Sequence, residues 1–249
     1  GTVTMRESVR ILGRFSIRFR HIAPASWVKP PVAPLPAASI RLRVCAQTGM
    51  LARTLMTTTT HLIRSRRFLP LFATQLLGAF NDNLYKNAMI LFVVYSVYNS
   101  EAAEARFSAI ASALFILPFF LLSALSGQLA DMRDKARIIR IVKAAEIAIM
   151  LVGGLGLMLA FQGIMVHTLA IPVMLAALLA MGVHSTFFGP IKYAILPQHL
   201  APNEVLAGTG LVEAGTYISI LAGTILAGWI PIEVAAVVVL VTALAGFLT

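Results

Sequence analysis

The chain has 249 residues, of which 59% are hydrophobic and only 12% are charged. Soluble domains are about 45–50% apolar and about 25% charged, so this composition excludes an ordinary soluble domain and predicts an integral membrane protein. The net charge of +10 does not indicate a nucleic-acid-binding protein, because twelve of the twenty basic residues lie within residues 1–67.

Residues 1–55 are predicted to be a basic leader. Over residues 8–22, apolar side chains share one side of a helix and arginines lie opposite, a pattern typical of an organellar targeting segment or an interfacial anchor. The alternative is a wrongly extended start, with Met50 or Met56 as the natural initiator. Both interpretations stay open. Residues 56–67 form a basic flank before the first apolar run.

Beyond residue 67 the chain alternates apolar runs with short polar links. About 20 apolar residues in a helix cross a hydrocarbon core of ~30 Å. This pattern predicts an all-α, polytopic membrane helix bundle over residues 68–249, with six transmembrane helices. The spans are predicted over residues 68–98, 107–130, 138–161, 168–188, 205–229 and from 232 onward. The chain begins at Gly1 and ends at Thr249 inside the sixth span, so we expect it to be a piece of a longer product.

The basic residues of the links predict the orientation. Lysine and arginine in short links favour the cytoplasmic side. The first link carries Glu101 and Glu104 with one arginine, whereas the second link and the leader end are basic. The N-terminus is therefore predicted to be cytoplasmic. The basic residues on that side are Arg64, Arg66, Arg67, Arg133, Lys135, Arg137 and Arg140.

The first span contains an unusual polar stretch. A charged side chain near the middle of a membrane helix costs roughly 2.5–3.5 kcal/mol, and such residues usually mark a substrate or ion path. Asp82 and Lys86 are four residues apart, as are Asn83 and Asn87, so two polar rows lie side by side. We predict a mid-membrane substrate site in which Asp82 holds a cationic group and Lys86 an anionic one. The alternative is a self-neutralised Asp82–Lys86 pair that only joins helices.

Later spans hold further polar candidates. Glu146 lies deep in the third span and is predicted to belong to the polar site, whereas Lys143, closer to the cytoplasmic end, is expected to snorkel. Glu213 in the fifth span is either a hydrogen-bonded packing residue or part of the pathway. Lys192 either meets lipid phosphate or anchors its helix end. His184 is expected to be a packing residue.

Motifs of catalysis are missing. The sequence has no Gly-rich phosphate loop, no G-x-S-x-G elbow and no H-E-x-x-H. With a single cysteine and no His/Cys set at metal-ligand spacing, we predict no catalytic residues, no metal and no cofactor.

Glycine and proline patterns give expectations about packing. Small residues let helix backbones approach closely in lipid, so the glycines of the third and fifth spans are expected to face neighbouring helices. They are Gly153, Gly154, Gly156, Gly208, Gly210, Gly215, Gly223 and Gly228. Pro118 and Pro190 are expected to kink or end their helices.

The link between the second and third spans resembles a loop of the major facilitator superfamily, a Gly-x3-Asp followed by basic residues. The residues that match this gating-loop motif are Gly127, Asp131, Arg133, Lys135 and Arg137. Four further segments, GAFNDN at 78–83, DKAR at 134–137, FGPIKYAILP at 188–197 and GLVE at 210–213, look like the lysophospholipid transporter branch of that superfamily. The resemblance covers roughly residues 67–249 and implies the N-terminal six-helix half of a transporter.

This resemblance implies a flippase in a bacterial inner membrane. It would move lysophospholipids, such as lysophosphatidylethanolamine, to the cytoplasmic leaflet for reacylation. Asp82 matches the family's headgroup-site aspartate, and Lys192 matches a lysine near its lateral gate. The implied partners are the bilayer, a C-terminal transporter half and a fused or associated acyltransferase, and half a transporter is not expected to transport alone. The alternatives are a facilitator for another small solute and a passive membrane anchor for such an acyltransferase.

Overall fold

The computed structural model describes residues 58–98 and 100–249. The predicted leader over residues 1–55 lies outside these described residues, as do residues 56 and 57 of the basic flank. Within the described part there is no strand, so the predicted all-α class is confirmed. Six long helices follow one another: α1 Leu69–Phe92, α2 Glu101–Met132, α3 Lys135–Phe161, α4 Ile171–Ala194, α5 Val205–Trp229 and α6 Ile232–Leu248. Shorter pieces are the π-helical turns Val93–Val97 and Val166–Ala170 and the one-turn helix Leu196–His199.

Four of the described helices are long and apolar enough to cross a membrane, namely α2, α3, α5 and α4 together with the π-helical turn before it. The helix α1 has the length, with 24 residues. Its polar stretch lowers its mean hydropathy below that of the other four. The helix α6 is apolar but has 17 residues. Length and composition therefore confirm a polytopic all-α membrane bundle.

Local capping sets where the helices begin. Ser100 accepts a hydrogen bond from the Ala103 amide, so α2 starts at Glu101, six residues before the predicted span. Asp134 caps α3 by accepting from the amides of Ala136 and Arg137 at 2.9 and 3.3 Å. The links before α2 and α3 thus end in a side chain that satisfies free amides of the next helix, whereas α1, α4, α5 and α6 begin without a side-chain cap.

Proline does not end the helices as expected. Pro118 lies inside α2 and Pro190 lies inside α4, and both helices continue beyond them. Of the two expected outcomes, a kink or a helix end, the helix end was wrong at both positions. Neighbouring helices in a bundle re-satisfy the backbone groups that a proline frees, which is why membrane helices tolerate it.

The helices pair with an internal symmetry. In the bundle α1 packs on α5 and α6, α4 packs on α2 and α3, and α3 also packs on α6. The set of pairs stays the same when α1 is exchanged with α4, α2 with α5 and α3 with α6. Because three is an odd number, two such triplets cross a membrane in opposite directions. Pairing of this kind is what inverted three-helix repeats produce in transporters, and it agrees with the predicted six-helix half.

Two glycines let helix backbones approach closely, one in the α1–α5 pair and one in the α2–α4 pair. A Cβ at Gly223 of α5 would lie 2.5 Å from the Phe80 carbonyl oxygen of α1, and a Cβ at Gly182 of α4 would lie 2.5 Å from the Phe115 carbonyl oxygen of α2. Only glycine allows these helices to approach so closely.

The other predicted glycine contacts are confirmed in part. A Cβ at Gly153, Gly156, Gly208 or Gly215 would lie within 3 Å of a neighbouring side chain, and one at Gly154 would lie 3.3 Å from a carbonyl oxygen. Among the described residues, nothing lies within 4 Å of such a Cβ at Gly210 or Gly228, so these two glycines meet no neighbouring helix there. They lie on the outer side of α5.

The centre of the bundle is built around α1. Leu84, Tyr85 and Met89 are fully buried. The Tyr85 hydroxyl donates a hydrogen bond of 2.9 Å to the Met174 carbonyl of α4, so its polar end is satisfied inside the core. This packing buries Asn81 with Leu84 and Tyr85, whereas Asp82, Asn83, Lys86 and Asn87 are half-buried.

Candidate functional site

Asp82 is the central residue of the candidate site. It lies 13 residues into α1, or ~20 Å at the helical rise, close to the middle of the helix. Its Oδ2 accepts a hydrogen bond of 2.6 Å from the Ser185 hydroxyl of α4. Its Oδ1 is buried and has no hydrogen-bond partner among the described residues. A buried carboxylate oxygen without a donor is costly, so this atom is the site's free acceptor.

Lys86 supplies a positive charge one turn further along α1. Its Nζ lies 3.4 Å from Asn83 Oδ1, and it sits 5.1 Å from the centroid of the Phe115 ring of α2. Within the described part of the chain, Lys86 makes no ion pair with Asp82. The short polar contacts of Asp82 and Lys86 are thus made to Ser185 and Asn83 rather than to each other.

The two asparagines in the same stretch are partly engaged. Asn83 Nδ2 donates to the Ala79 carbonyl at 2.9 Å. Asn87 Nδ2 donates to the Asn83 carbonyl at 2.8 Å and lies 3.0 Å from the Thr224 hydroxyl of α5. These contacts stabilise α1 and join it to α5, while Asn83 Oδ1 already accepts from Lys86 Nζ.

A buried ion pair lies beside Asp82. Lys143 Nζ and Glu146 Oε2 of α3 are 2.5 Å apart, and these residues are 2% and 1% exposed. Glu146 Oε1 also accepts from Asn81 Nδ2 of α1 at 3.2 Å. The Nε2 of His184 of α4 is 3.6 Å from Glu146 Oε2. We call Asn81, Lys143, Glu146 and His184 the buried cluster.

The structure corrects the prediction for Lys143. Its side chain does not snorkel to the membrane surface but turns inward to Glu146. Space for the ammonium comes from two glycines, because a Cβ at Gly78 of α1 or at Gly246 of α6 would lie 3.2 or 3.1 Å from Nζ. The ammonium also lies 5.8 Å from the centroid of the Phe188 ring of α4. Lys143 of α3 thus lies close to residues of α1, α4 and α6.

Lys192 and Glu213 form a separate group. The Tyr193 hydroxyl donates to Glu213 Oε1 and links the end of α4 to α5. Lys192 Nζ lies 4.8 Å from the centroid of the neighbouring Tyr193 ring. Lys192 is seven residues from Ser185 along α4, about 10 Å at the helical rise. The structure therefore does not bring Lys192 and Glu213 together with Asp82, and the packing role for Glu213 fits its hydrogen bond.

The gating-loop motif lies at the ends of α2 and α3. Asp131, Arg133 and Arg137 are exposed, and Lys135 is half-buried. Nothing lies within 4 Å of a Cβ at Gly127, so packing among the described residues does not require glycine there. In this loop the carboxylate of Asp134 has a structural role, because it caps α3.

Sequence reasoning did not place Asn81, Lys143, His184 or Ser185 at the site. Asn81 could have been found as the neighbour of Asp82, and Lys143 by its three-residue spacing from Glu146. Ser185 carried no signal, because a serine in an apolar helix is ordinary. Gln75 of α1 donates a hydrogen bond of 2.6 Å to the Thr216 hydroxyl of α5.

Comparison with known proteins gives one consistent group of relatives. The chain is 27% identical over 169 residues to the lysophospholipid transporter LplT of Serratia proteamaculans (strain 568), which covers 66% of this chain and 37% of that protein. It is 26% identical over 166 residues to the LplT proteins of Salmonella newport and Salmonella typhimurium, with 67% of this chain and 36% of theirs covered.

The match is limited in extent. The chain spans little more than a third of the length of these curated relatives. No known family profile and no solved structure matches it. The relatives are named for transport, which gives no support to the predicted acyltransferase fusion. The chain is thus a multi-pass membrane protein related in sequence to the lysophospholipid transporters, and its resemblance to that branch of the major facilitator superfamily is confirmed.

Proposed function

We propose that this chain is the N-terminal half of a lysophospholipid flippase and that it carries the headgroup site. The substrate would be a lysophospholipid such as lysophosphatidylethanolamine, delivered to the cytoplasmic leaflet of a bacterial inner membrane for reacylation. The observation that carries the proposal is the buried, unpaired Oδ1 of Asp82 at mid-membrane. The relatives' shared name supports the choice of substrate.

The charges of α1 suit a zwitterionic headgroup. Asp82 would accept the ammonium and Lys86 would take the phosphate. The two residues are four apart, or ~6 Å along the helix axis, a separation that a headgroup with both charges bridges. Neither charge is neutralised by a short ion pair within the described residues, so the ligand would replace weak contacts by charge-assisted hydrogen bonds.

The Asp82–Ser185 hydrogen bond would couple binding to movement. It joins α1 to α4, the first helices of the two triplets. A substrate ammonium at Asp82 would compete with the Ser185 hydroxyl for the same carboxylate, and so would change the contact between the two repeats. In transporters of this type one bundle rocks against another around a mid-membrane site. The second bundle would be the C-terminal half.

The basic links support the proposed orientation. Arg133, Lys135 and Arg137 lie between α2 and α3, whereas Glu101 and Glu104 lie at the start of α2. With basic links inside, the N-terminus is cytoplasmic and the gating loop faces the cytoplasm.

Asp82→Asn tests the headgroup role. The change keeps the size of the side chain and removes its charge. Loss of a hydrogen bond to a charged group costs about 1.5–3 kcal/mol, so uptake of labelled lysophosphatidylethanolamine into spheroplasts should fall at least about tenfold. The assay uses the complete product of the gene.

Glu233→Gln is the matched control, because it makes the same chemical change in the first turn of α6, away from the site. It should leave uptake unchanged. Uptake by Asp82→Asn at the wild-type rate would contradict the headgroup role. Binding of soluble compounds with no response to lysophospholipids would favour a facilitator for another solute.

A further inference from the structure

A long cavity lies between α2, α3 and α4, and Asp82 is not among the residues that line it. Its volume is about 1030 Å³, close to the upper limit of sites that bind drug-sized ligands. One wall is a row on α3 at four-residue spacing, Arg137, Ile141, Ala145 and Ile149, which share one face of that helix. The row is ~18 Å long at the helical rise. The cavity is therefore a groove that runs from the α2–α3 link toward the middle of the bundle.

The groove is polar at one end and apolar along its length. Arg133 and Arg137 line the end at the α2–α3 link, and both are exposed. Neither makes an ion pair with a described residue. Asp134 lies at the same end, but its Oδ1 already accepts from two backbone amides. The remaining walls are mainly aliphatic, with Phe187 of α4 among them.

We propose that this groove binds a phospholipid of the surrounding bilayer, with its phosphate on Arg133 and Arg137 and one acyl chain along α3. The groove has arginines at the end next to the α2–α3 link and apolar side chains along its length. A phospholipid in that leaflet has the same arrangement, with its phosphate at the surface and its acyl chains below. The length of the groove also matches, because half of a ~30 Å hydrocarbon core is about 15 Å. Arginine holds phosphate through two parallel hydrogen bonds.

Another apolar helix is a poorer occupant. It would cover Arg133 and Arg137 without supplying an anion, and a buried, unpaired charge is strongly unfavourable. A lipid phosphate supplies that anion, while its acyl chain fills the apolar part of the groove.

The inner wall of the groove connects to the buried cluster. His184 lines the cavity and also lies 3.6 Å from Glu146 Oε2. An acyl chain that fills the groove would therefore pack against the cluster that joins α1, α3 and α4. The lipid site is separate from the proposed headgroup site, and neither depends on the other.

Native mass spectrometry of the purified chain in detergent tests the proposal. The chain is titrated with dioleoyl phosphatidylglycerol, and dioleoylglycerol serves as the same lipid without the phosphate. The double variant Arg133→Gln/Arg137→Gln should weaken phosphatidylglycerol binding roughly 10- to 30-fold, as expected for the loss of two arginine–phosphate contacts. Dioleoylglycerol should bind weakly to both proteins.

The matched control is Lys135→Gln/Arg140→Gln, which removes the same charge from the same stretch of chain at positions that do not line the groove. It should retain phosphatidylglycerol binding. Equal loss in the two double variants would show a non-specific effect of basic charge and overturn the proposal. Displacement of the lipid by millimolar inorganic phosphate would show an anion site without an acyl groove, and would overturn it as well.

A second pair of variants tests the acyl part. Ala145→Trp places a large ring in the groove and should reduce lipid binding by a similar factor. Leu151→Trp, at an exposed position on α3 outside the groove, should not. Equal binding by both would contradict a chain lying along α3. Far-UV circular dichroism confirms that each variant keeps its helical content.

Discussion

Replacing Lys143 by methionine is expected to lower the free energy of unfolding by about 3–5 kcal/mol, the usual loss when one member of a buried ion pair is removed. Lys143 and Glu146 are almost fully buried, and their charged atoms are 2.5 Å apart. Methionine keeps the long apolar stem but leaves Glu146 with Asn81 as its one remaining hydrogen-bond donor among the described residues. Reversible unfolding in mixed detergent micelles, followed by circular dichroism, measures the change.

Two further variants separate charge from packing. Lys135→Met makes the same substitution at the first residue of α3, where the side chain is half-buried and has no ion pair with a described residue. It should change the free energy of unfolding by at most about 0.5 kcal/mol. The double variant Lys143→Met/Glu146→Gln removes both charges and should recover most of the loss. A cost for Lys143→Met no larger than that for Lys135→Met would show that the ammonium does not balance Glu146.

Gly223→Ala is expected to be the most damaging glycine substitution in α5. The added Cβ would lie 2.5 Å from the Phe80 carbonyl oxygen and 3.1 Å from the Leu84 amide nitrogen of α1. Both are backbone atoms, so no side chain can rotate away to make room. Overpacking of this kind costs about 1–3 kcal/mol or more. The same unfolding titration measures it, and lysophospholipid uptake should fall too, because Phe80 directly precedes the polar stretch of α1.

Gly228→Ala is the matched control in the same helix, with nothing within 4 Å of the new Cβ. Alanine is a better helix former than glycine by roughly 1 kcal/mol, so this variant should be neutral or slightly more stable. Gly223→Ala with the stability of Gly228→Ala would contradict the close approach of α1 and α5.

The order of helices could be predicted from the sequence. Whether a segment can cross a membrane depends on its own length and apolarity, and capping residues such as Ser100 and Asp134 act within a few positions. Two predicted boundaries were wrong, because α2 starts six residues before its predicted span and α4 continues six residues beyond residue 188. These ends depend on a cap or on neighbouring helices. The polar stretch around Asp82 also stood out, because polar residues are conspicuous where lipid would otherwise surround the helix.

The partner of each polar residue could not be predicted. Asp82 and Lys86 are four residues apart and were candidates for a pair, yet Asp82 bonds to Ser185 on α4, 103 residues away. Lys143 was close enough to the membrane surface to snorkel, but the glycines on α1 and α6 leave room for its ammonium inside. Spacing along one helix shows which residues share a face and does not show what that face meets.

The sequence alone therefore determined that this is an all-α membrane protein, which segments form its helices, and that Asp82 stands apart from its apolar surroundings. Only the tertiary structure decided that Oδ1 of Asp82 has no hydrogen-bond partner among the described residues and that Lys143 and Glu146 are buried together. It also decided that, within the same part of the chain, Gly223 and Gly182 meet a neighbouring backbone while Gly210 and Gly228 do not. The physical reason is that both the lipid-facing and the buried sides of such a helix are apolar. Hydrophobic periodicity therefore does not show which face of a helix packs inside the bundle. That face is known only from the contacts between helices.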